Sequence, residues 1–274
     1  MTDDNSDEPR DFVASLSHGL KVITAFDRTR PVMTLSQVAD VTGMQRSGAR
    51  RYLLTLMHLG YVAKSGRDFR LTPRVLELGY AYMTSQPLAE ISQPYLDEFT
   101  HKTGYSSALA VQEGDEAIYI AQCSAERTLS VRVPVGRRQP ALQTSTGRAM
   151  LAALDEREID AFLQRAQPRK FTDKSITSKK DLKAELLKIR SQGFSIVDQE
   201  IELGVRSMAV ALHDQNGAAA AALLVLTDVA SVSEKMLRKD FLPHLQHAVS
   251  EIERAIRSSP AARQMSSTRS KPRP

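Results

Sequence analysis

A chain of 274 residues is long enough for about two domains, and its 42% hydrophobic and 25% charged content excludes wholesale disorder. No apolar run reaches the ~18 residues of a membrane helix; the acidic start "MTDDNSDEPRDF" has no signal-peptide h-region, and a lone cysteine, Cys123, excludes an intrachain disulfide and a Cys-based metal cage. These features point to a cytoplasmic protein. The net charge of +5 is local: between Met44 and Arg74 seven Lys/Arg stand against one acid, Asp68, which leaves the rest of the chain near neutral. So skewed a segment is the footprint of a nucleic-acid-binding module rather than an ordinary solvated helix face.

Residues 1–14 are polar and acidic and are expected to be disordered. "SLSHGLKVITAF" spaces Leu16, Leu20, Ile23 and Phe26 on one helical face. In "TLSQVADVTGMQRSGARRYLLTLMHLGYV", Thr34 and Gln37 form a capping box, Leu35, Val38 and Ala39 supply a buried stripe, and Gly43 ends the helix. A new helix then runs from about Gln45 to Leu59. Its inward face is Ala49, Tyr52, Leu53, Leu56 and Met57, and Gln45, Arg46, Ser47 and Arg50 fall opposite. Tyr61–Ala63 and Phe69–Leu71 read as short strands around the turn "KSGRD". Thr72 and Pro73 then open a further helix that Pro87 ends.

From about 88 to 257 strands and helices alternate. "SSALAVQ" and "AIYIAQC" flank "EGDE" as a hairpin, and "LSVRVPVG" is a third strand. "TGRAMLAAL", "EREIDAFLQRA" and "SKKDLKAELLKIRSQG" read as helices, and "FSIVD", "RSMAVALH" and "AAAAALLVL" as strands. Asn216–Gly217 is a hairpin signal between the last two strands. The closing segment is helical with Pro243 as a break, and a basic tail, 258–274, is expected to be disordered. The fold class is mixed α+β, with helices packed over an antiparallel sheet.

Two helices about a glycine turn, the second polar and basic at its start, describe a helix-turn-helix whose second helix enters the DNA major groove. Arg46 and Arg50 are one turn apart with Ser47 beside them, and an arginine can bond two acceptors on one guanine edge. Gln45 suits adenine. Lys64 and Arg67, at the hairpin tip, form a wing over phosphates or the minor groove. With Thr34 and Arg51 these residues make up the expected DNA face. The alternative is a merely basic three-helix bundle.

"SLSHGLKVITAF", the glycine-turn segment and "FRLTPRVLELG" resemble the DNA-binding half of IclR-type bacterial transcription regulators. "TSTGRAML", "QGFSIVDQEIELGVRSMAVALHD" and the alanine-rich strand resemble that family's effector domain, so the resemblance covers about 15–256. "VPVGRRQPALQTSTGRAML" is similar to the subgroup controlling protocatechuate, 4-hydroxybenzoate and β-ketoadipate pathway catabolism. The resemblance implies a winged helix-turn-helix over 15–72, a linker helix over 73–87 and a GAF-like effector-binding domain over 88–257. It implies homodimers or dimers of dimers, a double-stranded DNA operator, no cofactor, and a small organic-acid effector on the sheet face. By position the pocket falls on Ser145 and Thr146, then Asp198 and Ser207, then Leu224 and Leu226. The two leucines suit a ring better than glyoxylate or pyruvate.

The residues themselves support part of this. A helix opening at "TSTGR" offers free N–H groups and a positive dipole end to a carboxylate, Thr144, Ser145 and Thr146 add hydroxyls, and Arg138 and Arg148 are candidate partners for an acid. An ordinary capped helix with surface arginines is the alternative. The six histidines show no metal-ligand spacing, and no nucleophile elbow, P-loop or dinucleotide fingerprint is present. The expected function is therefore a ligand-responsive regulator, an activator of aromatic-acid catabolism, and not an enzyme. Still open are a repressor answering pyruvate or glyoxylate, an enzyme acting on a small acid, and an architectural DNA binder without ligand.

Overall fold

Helix α1 (Ala14–Thr24) turns only part of its apolar stripe inward. In this computed structural model, which describes residues 11–85, 87–125, 133–214 and 217–258, Val22 and Phe26 are buried, whereas Leu16 is 65% and Leu20 48% exposed. The spacing put all four positions on one helical face, but the unit's core reaches only the end nearest Phe26. Residues 1–10 and 259–274, where disorder is expected from the sequence, lie outside the described residues.

The chain divides into two compact units, Met1–Tyr82 and Met83–Pro274. In the first, strand β1 (Met33–Thr34) leads into α2 (Leu35–Thr42). Thr34 Oγ1 accepts from the Gln37 N–H at 3.4 Å, and Gln37 Oε1 accepts from the Thr34 N–H at 2.8 Å. These bonds satisfy donors that a helix start leaves orphaned. Gly43 caps α2 at φ 68°, a left-handed conformation that a Cβ would penalise. Helix α3 (Arg46–His58) follows, and α1, α2 and α3 close over Val38, Ala49, Leu53 and Leu56. Strands β2 (Val62–Ser65) and β3 (Asp68–Leu71) form the hairpin. β3 also pairs with β1 (Met33 with Phe69), a strand too short to show as a pattern in the sequence. Thr72 caps a short 3₁₀ turn, Pro73–Val75, which runs into α4 (Leu76–Ser85).

In the second unit α5 (Leu88–Thr103) precedes strands β4 (Ser107–Glu113), β5 (Glu116–Cys123) and the short β6 (Arg138–Pro140). Half of "LSVRVPVG", expected as the third strand, lies outside the described residues, and its other half, 133–136, is turn and irregular backbone rather than strand; β6 pairs with β5 from Arg138. Helices α6 (Ser145–Ala152), α7 (Glu156–Arg165) and α8 (Lys179–Gln192) follow, then strands β7 (Ser195–Asp198), β8 (Val205–His213) and β9 (Ala219–Asp228). Asn216 lies outside the described residues, and Gly217 beside it has φ 77°. The sheet is antiparallel in the order β6-β5-β4-β9-β8-β7.

The sheet's two faces are read from alternate residues. Leu109, Met208, Val210, Leu223 and Val225 point to one side, under α5 and the C-terminal helix. Ala108, Ala110, Ala209, Ala222 and Leu224 point to the other, under α6. Helices α7 and α8 pack on the outside of α6 through Leu151, Ile159, Phe162, Leu182 and Leu186.

The closing helix does not break at Pro243. A short α9 (Glu234–Met236) passes through a π turn, Leu237–Phe241, directly into α10 (Leu242–Ser258). Proline lacks the N–H that an α-helix needs and collides with the carbonyl four residues earlier. The wider π turn immediately before it is where such a helix relieves that collision.

Candidate functional site

The DNA-facing residues are built on short-range structure. Gln45 is the N-cap residue of α3, and Arg46, Ser47, Arg50 and Arg51 follow on its exposed side, while Ala49 and Leu53 hold the helix to the core. Lys64 and Arg67 stand exposed at the β2–β3 tip, the Lys64 ammonium 5.7 Å from the Phe69 ring centre. Among the described residues none of Arg46, Arg50, Arg51, Lys64, Arg67 or Arg70 takes part in an ion pair; the nearby pairs are Arg30–Asp27 and Arg74–Glu77. Uncompensated, this charge is available to phosphates and base edges. Thr34 is placed differently: its hydroxyl is engaged in the capping box with Gln37.

In the second unit the polar start of α6 is buried. Thr144, Ser145 and Thr146 are at most 3% exposed. The Thr144 hydroxyl caps the helix, accepting from the Gly147 N–H at 3.0 Å. The N–H groups of Ser145 and Thr146 have no intrahelical acceptor, as at any helix start. Gly147 permits this packing: a Cβ there would lie 2.2 Å from the Ala141 carbonyl oxygen. The sheet supplies the facing wall. Ser207 is the registered partner of Leu226, and Leu224 of both Ala209 and Ala108, so all share the α6 face.

Tyr119, from β5, closes one side. Its hydroxyl donates to Gln139 Oε1 at 3.2 Å and lies 3.4 Å from Thr146 Oγ1, which is 3.4 Å from Thr144 Oγ1. These distances are long for O–H···O bonds, so the hydroxyls are loosely engaged and free to turn toward a better partner. Burial pushes the Tyr119 phenol up, with the Thr146 contact and the Arg137 charge opposing, and the phenol stays a neutral donor. Neither Tyr119 nor Gln139 stands out in the sequence, because the pairing of β5 with β6 brings them here.

Three expected ligand residues are placed elsewhere. Arg148 is fully buried and committed: Nη1 and Nη2 donate to the Glu200 oxygens at 2.6 and 2.7 Å, and Nε donates to the Leu142 carbonyl at 2.6 Å. These bonds make it a brace within the fold. Asp198 pairs in register with Arg206, while its neighbour Val197 pairs with Ser207. Asp198 is therefore on the opposite sheet face from Ser207 and Leu226, and Val197 takes the expected place. Arg206 Nε and Nη2 hold the Asp198 carboxylate at 3.1 and 3.0 Å. Arg138 is on edge strand β6, half-exposed, with Nε on Glu116 at 2.6 Å and Nη1 on Glu113 at 2.9 Å. Ser207, Leu224 and Leu226 thus lie on the sheet face that α6 covers, and Thr146 meets Tyr119 there, whereas the side chains of Arg138, Arg148 and Asp198 are taken up by Glu113 and Glu116, by Glu200 and by Arg206.

A winged helix-turn-helix with an unpaired basic face, together with a second sheet-and-helix unit, describes a DNA-binding regulator of two parts. The comparisons with known proteins agree. Residues 15–66 match the IclR helix-turn-helix domain and residues 80–254 the bacterial transcriptional regulator IclR C-terminal domain. The chain belongs to the IclR family of bacterial transcriptional regulators. It is 42% identical over 236 residues to the Pca regulon regulatory protein of Pseudomonas putida, an alignment spanning 86% of this chain and 81% of that one. It is 29% identical to the p-hydroxybenzoate hydroxylase transcriptional activator of Acinetobacter baylyi, over 90% of this chain and 93% of the relative. The crystal structure of an IclR homolog complexed with 4-hydroxybenzoate, from Microbacterium hydrocarbonoxydans, shares the fold. Its TM-score is 0.77 at 22% identity, covering 89% of this chain and all of the other. These relatives are named as regulators and not as enzymes. Among the described residues no helix is long and apolar enough to cross a membrane.

Proposed function

We propose that this regulator activates aromatic-acid catabolic genes, of the protocatechuate, 4-hydroxybenzoate and β-ketoadipate type, in response to an acid of that pathway. Two observations support the reading: the start of α6, with Ser145 and Thr146, is polar and buried, and the sheet face that α6 covers carries Ser207, Leu224 and Leu226. Helix N–H groups and hydroxyls suit a carboxylate, and the leucines suit a ring. The names of the relatives support the pathway. A ligand there shifts DNA binding only by favouring one arrangement of the chain over another.

Arg46, Ser47 and Arg50 read base edges, with Gln45 and Arg51 beside them and Lys64 and Arg67 on the backbone, at a cytoplasmic double-stranded operator. The functional unit is a homo-oligomer paired through the first unit. Leu16, Leu20 and Leu76 are each exposed at 48–74%, apolar surface that a second copy would cover.

The test is a thermal-shift series on the full chain with protocatechuate, 4-hydroxybenzoate and β-ketoadipate, against pyruvate and glyoxylate. A ligand at ~100 times its Kd stabilises its site by ~2.7 kcal/mol. Selective stabilisation by a pathway acid, lost in Ser145→Tyr with basal DNA binding intact, is the expected result. Stabilisation by pyruvate or glyoxylate alone would instead fit the repressor reading, and an unchanged response in Ser145→Tyr would reject this seat.

A further inference from the structure

Outside the α6 seat, an open cleft of about 920 Å³ lies between β6, the 141–143 turn, the end of α7 and the segment after it. Its size falls within the roughly 300–1,000 Å³ of small-molecule sites. Four arginines line it, and two of them are already held. Arg165 pairs with Asp115 at 3.0 Å, and Arg138 with Glu116 and Glu113. Arg137 and Arg169 form no ion pair among the described residues, and Glu202 is the wall's remaining carboxylate. Between the charges the wall is apolar, with Pro140, Pro168 and Phe171, the last 44% exposed.

Both uncompensated arginines spring from fixed backbone. The Arg137 carbonyl accepts from the Tyr119 N–H at 3.1 Å, and its N–H donates to the Pro134 carbonyl at 3.1 Å. The Arg169 carbonyl accepts from Gln143 Nε2 at 2.7 Å. Gln139, on the same wall, is the acceptor of the Tyr119 hydroxyl, which in turn reaches Thr146. The cleft therefore shares its back wall with the segment that sets the start of α6.

We propose that this cleft is a second small-molecule site, distinct from the α6 seat. It takes a dicarboxylate whose two ends pair with Arg137 and Arg169 and whose apolar middle lies along Pro168 and Phe171. Guanidinium forks bind carboxylates bidentately, and two of them flanking an apolar strip select for two charged ends over one. Through Gln139 and Gln143 the bound acid presses on the same turn that the effector meets from inside, so the two sites are coupled.

The test is calorimetric titration of the full chain with adipate as the two-ended probe and hexanoate as the one-ended control. Adipate is expected to bind at least tenfold tighter than hexanoate. Its affinity is expected to persist in Ser145→Tyr and to fall at least tenfold in the Arg137→Ala/Arg169→Ala double variant. Both arginines are exposed, so the double variant keeps its core. Protocatechuate binding should survive in that variant, which separates failure of this site from failure of the α6 seat. No adipate binding to the wild-type chain, equal binding by the double variant, loss in Ser145→Tyr, or simple competition between adipate and protocatechuate would each overturn the proposal.

Discussion

Arg148 and Glu200, 52 residues apart in sequence, meet inside the effector unit through two parallel hydrogen bonds of 2.6 and 2.7 Å. The pair is almost fully buried, at 0% and 6% exposure. Other bonds complete it. Arg148 Nε donates to the Leu142 carbonyl, the Ile176 N–H donates to Glu200 Oε2 at 3.0 Å, and Ser175 Oγ donates to the Glu200 carbonyl at 2.5 Å. One ion pair thus fastens the start of α6, the turn before it, the 172–176 loop and the β7–β8 loop.

Removing one partner leaves a buried charge without compensation. Glu200→Leu or Arg148→Met alone should destabilise the effector unit by ~3–5 kcal/mol. The paired Arg148→Met/Glu200→Leu variant should lose far less than the two single losses added together. Urea denaturation across the four members of this cycle measures it. Additive losses would mean that the bridge is not the fastener.

Gly147 and Gly43 are limited by different things. At Gly147 a Cβ meets the backbone of Ala141 at 2.2–2.5 Å, whereas at Gly43 nothing lies within 4 Å and only the φ of 68° resists a side chain. Gly147→Ala should push α6 off the 141–143 turn, with a loss of ~1–3 kcal/mol or more and weakened effector binding. Gly43→Ala should lose only ~1–2 kcal/mol in the DNA-binding unit and leave effector binding alone. Melting curves with and without effector separate the two.

Asp198 carries a pH signature. Burial pushes its carboxyl up, but hydrogen bonds and charge from Arg206 outweigh this and hold it below the ordinary carboxylate range. A depressed folded pKa stabilises the fold above the unfolded pKa of ~3.9, and that stability is lost as pH falls through the folded value. The wild-type chain should therefore lose more melting temperature than Asp198→Asn between about pH 5 and about pH 3. Parallel pH profiles for the two proteins would show that the pair contributes nothing.

Arg50 is exposed, one turn from Arg46, with no acid holding it among the described residues. If it reads a base, Arg50→Ala should weaken the specific operator by roughly 1–3 kcal/mol and relax preference at one position. Uniform weakening across all sequences, with a shallower salt dependence, would assign it to a phosphate. Competition binding against a randomised site distinguishes these.

What could be read along the chain was what neighbouring residues decide among themselves. The Thr34–Gln37 box, the Gly43 stop and the outward Arg46–Arg50 row depend on partners three or four positions away, and a helix period exposes them. The basic segment was visible for the same reason, since charge is a property of composition.

Facing and partnership depend on residues far away, and there the tertiary structure decided. Whether Asp198 or Val197 looks at α6 rests on which of them pairs with Ser207, and one step of register reverses the answer. Arg148 has the same chemistry as a ligand arginine, and only the fold brings Glu200 to it. Leu16 and Leu20 keep their helical spacing yet lie beyond the reach of the core. Pro243 breaks an α-helix by local rules, but a π turn ahead of it carries the helix on. Periodicity fixes which residues share a face; the packing of distant segments fixes what that face meets.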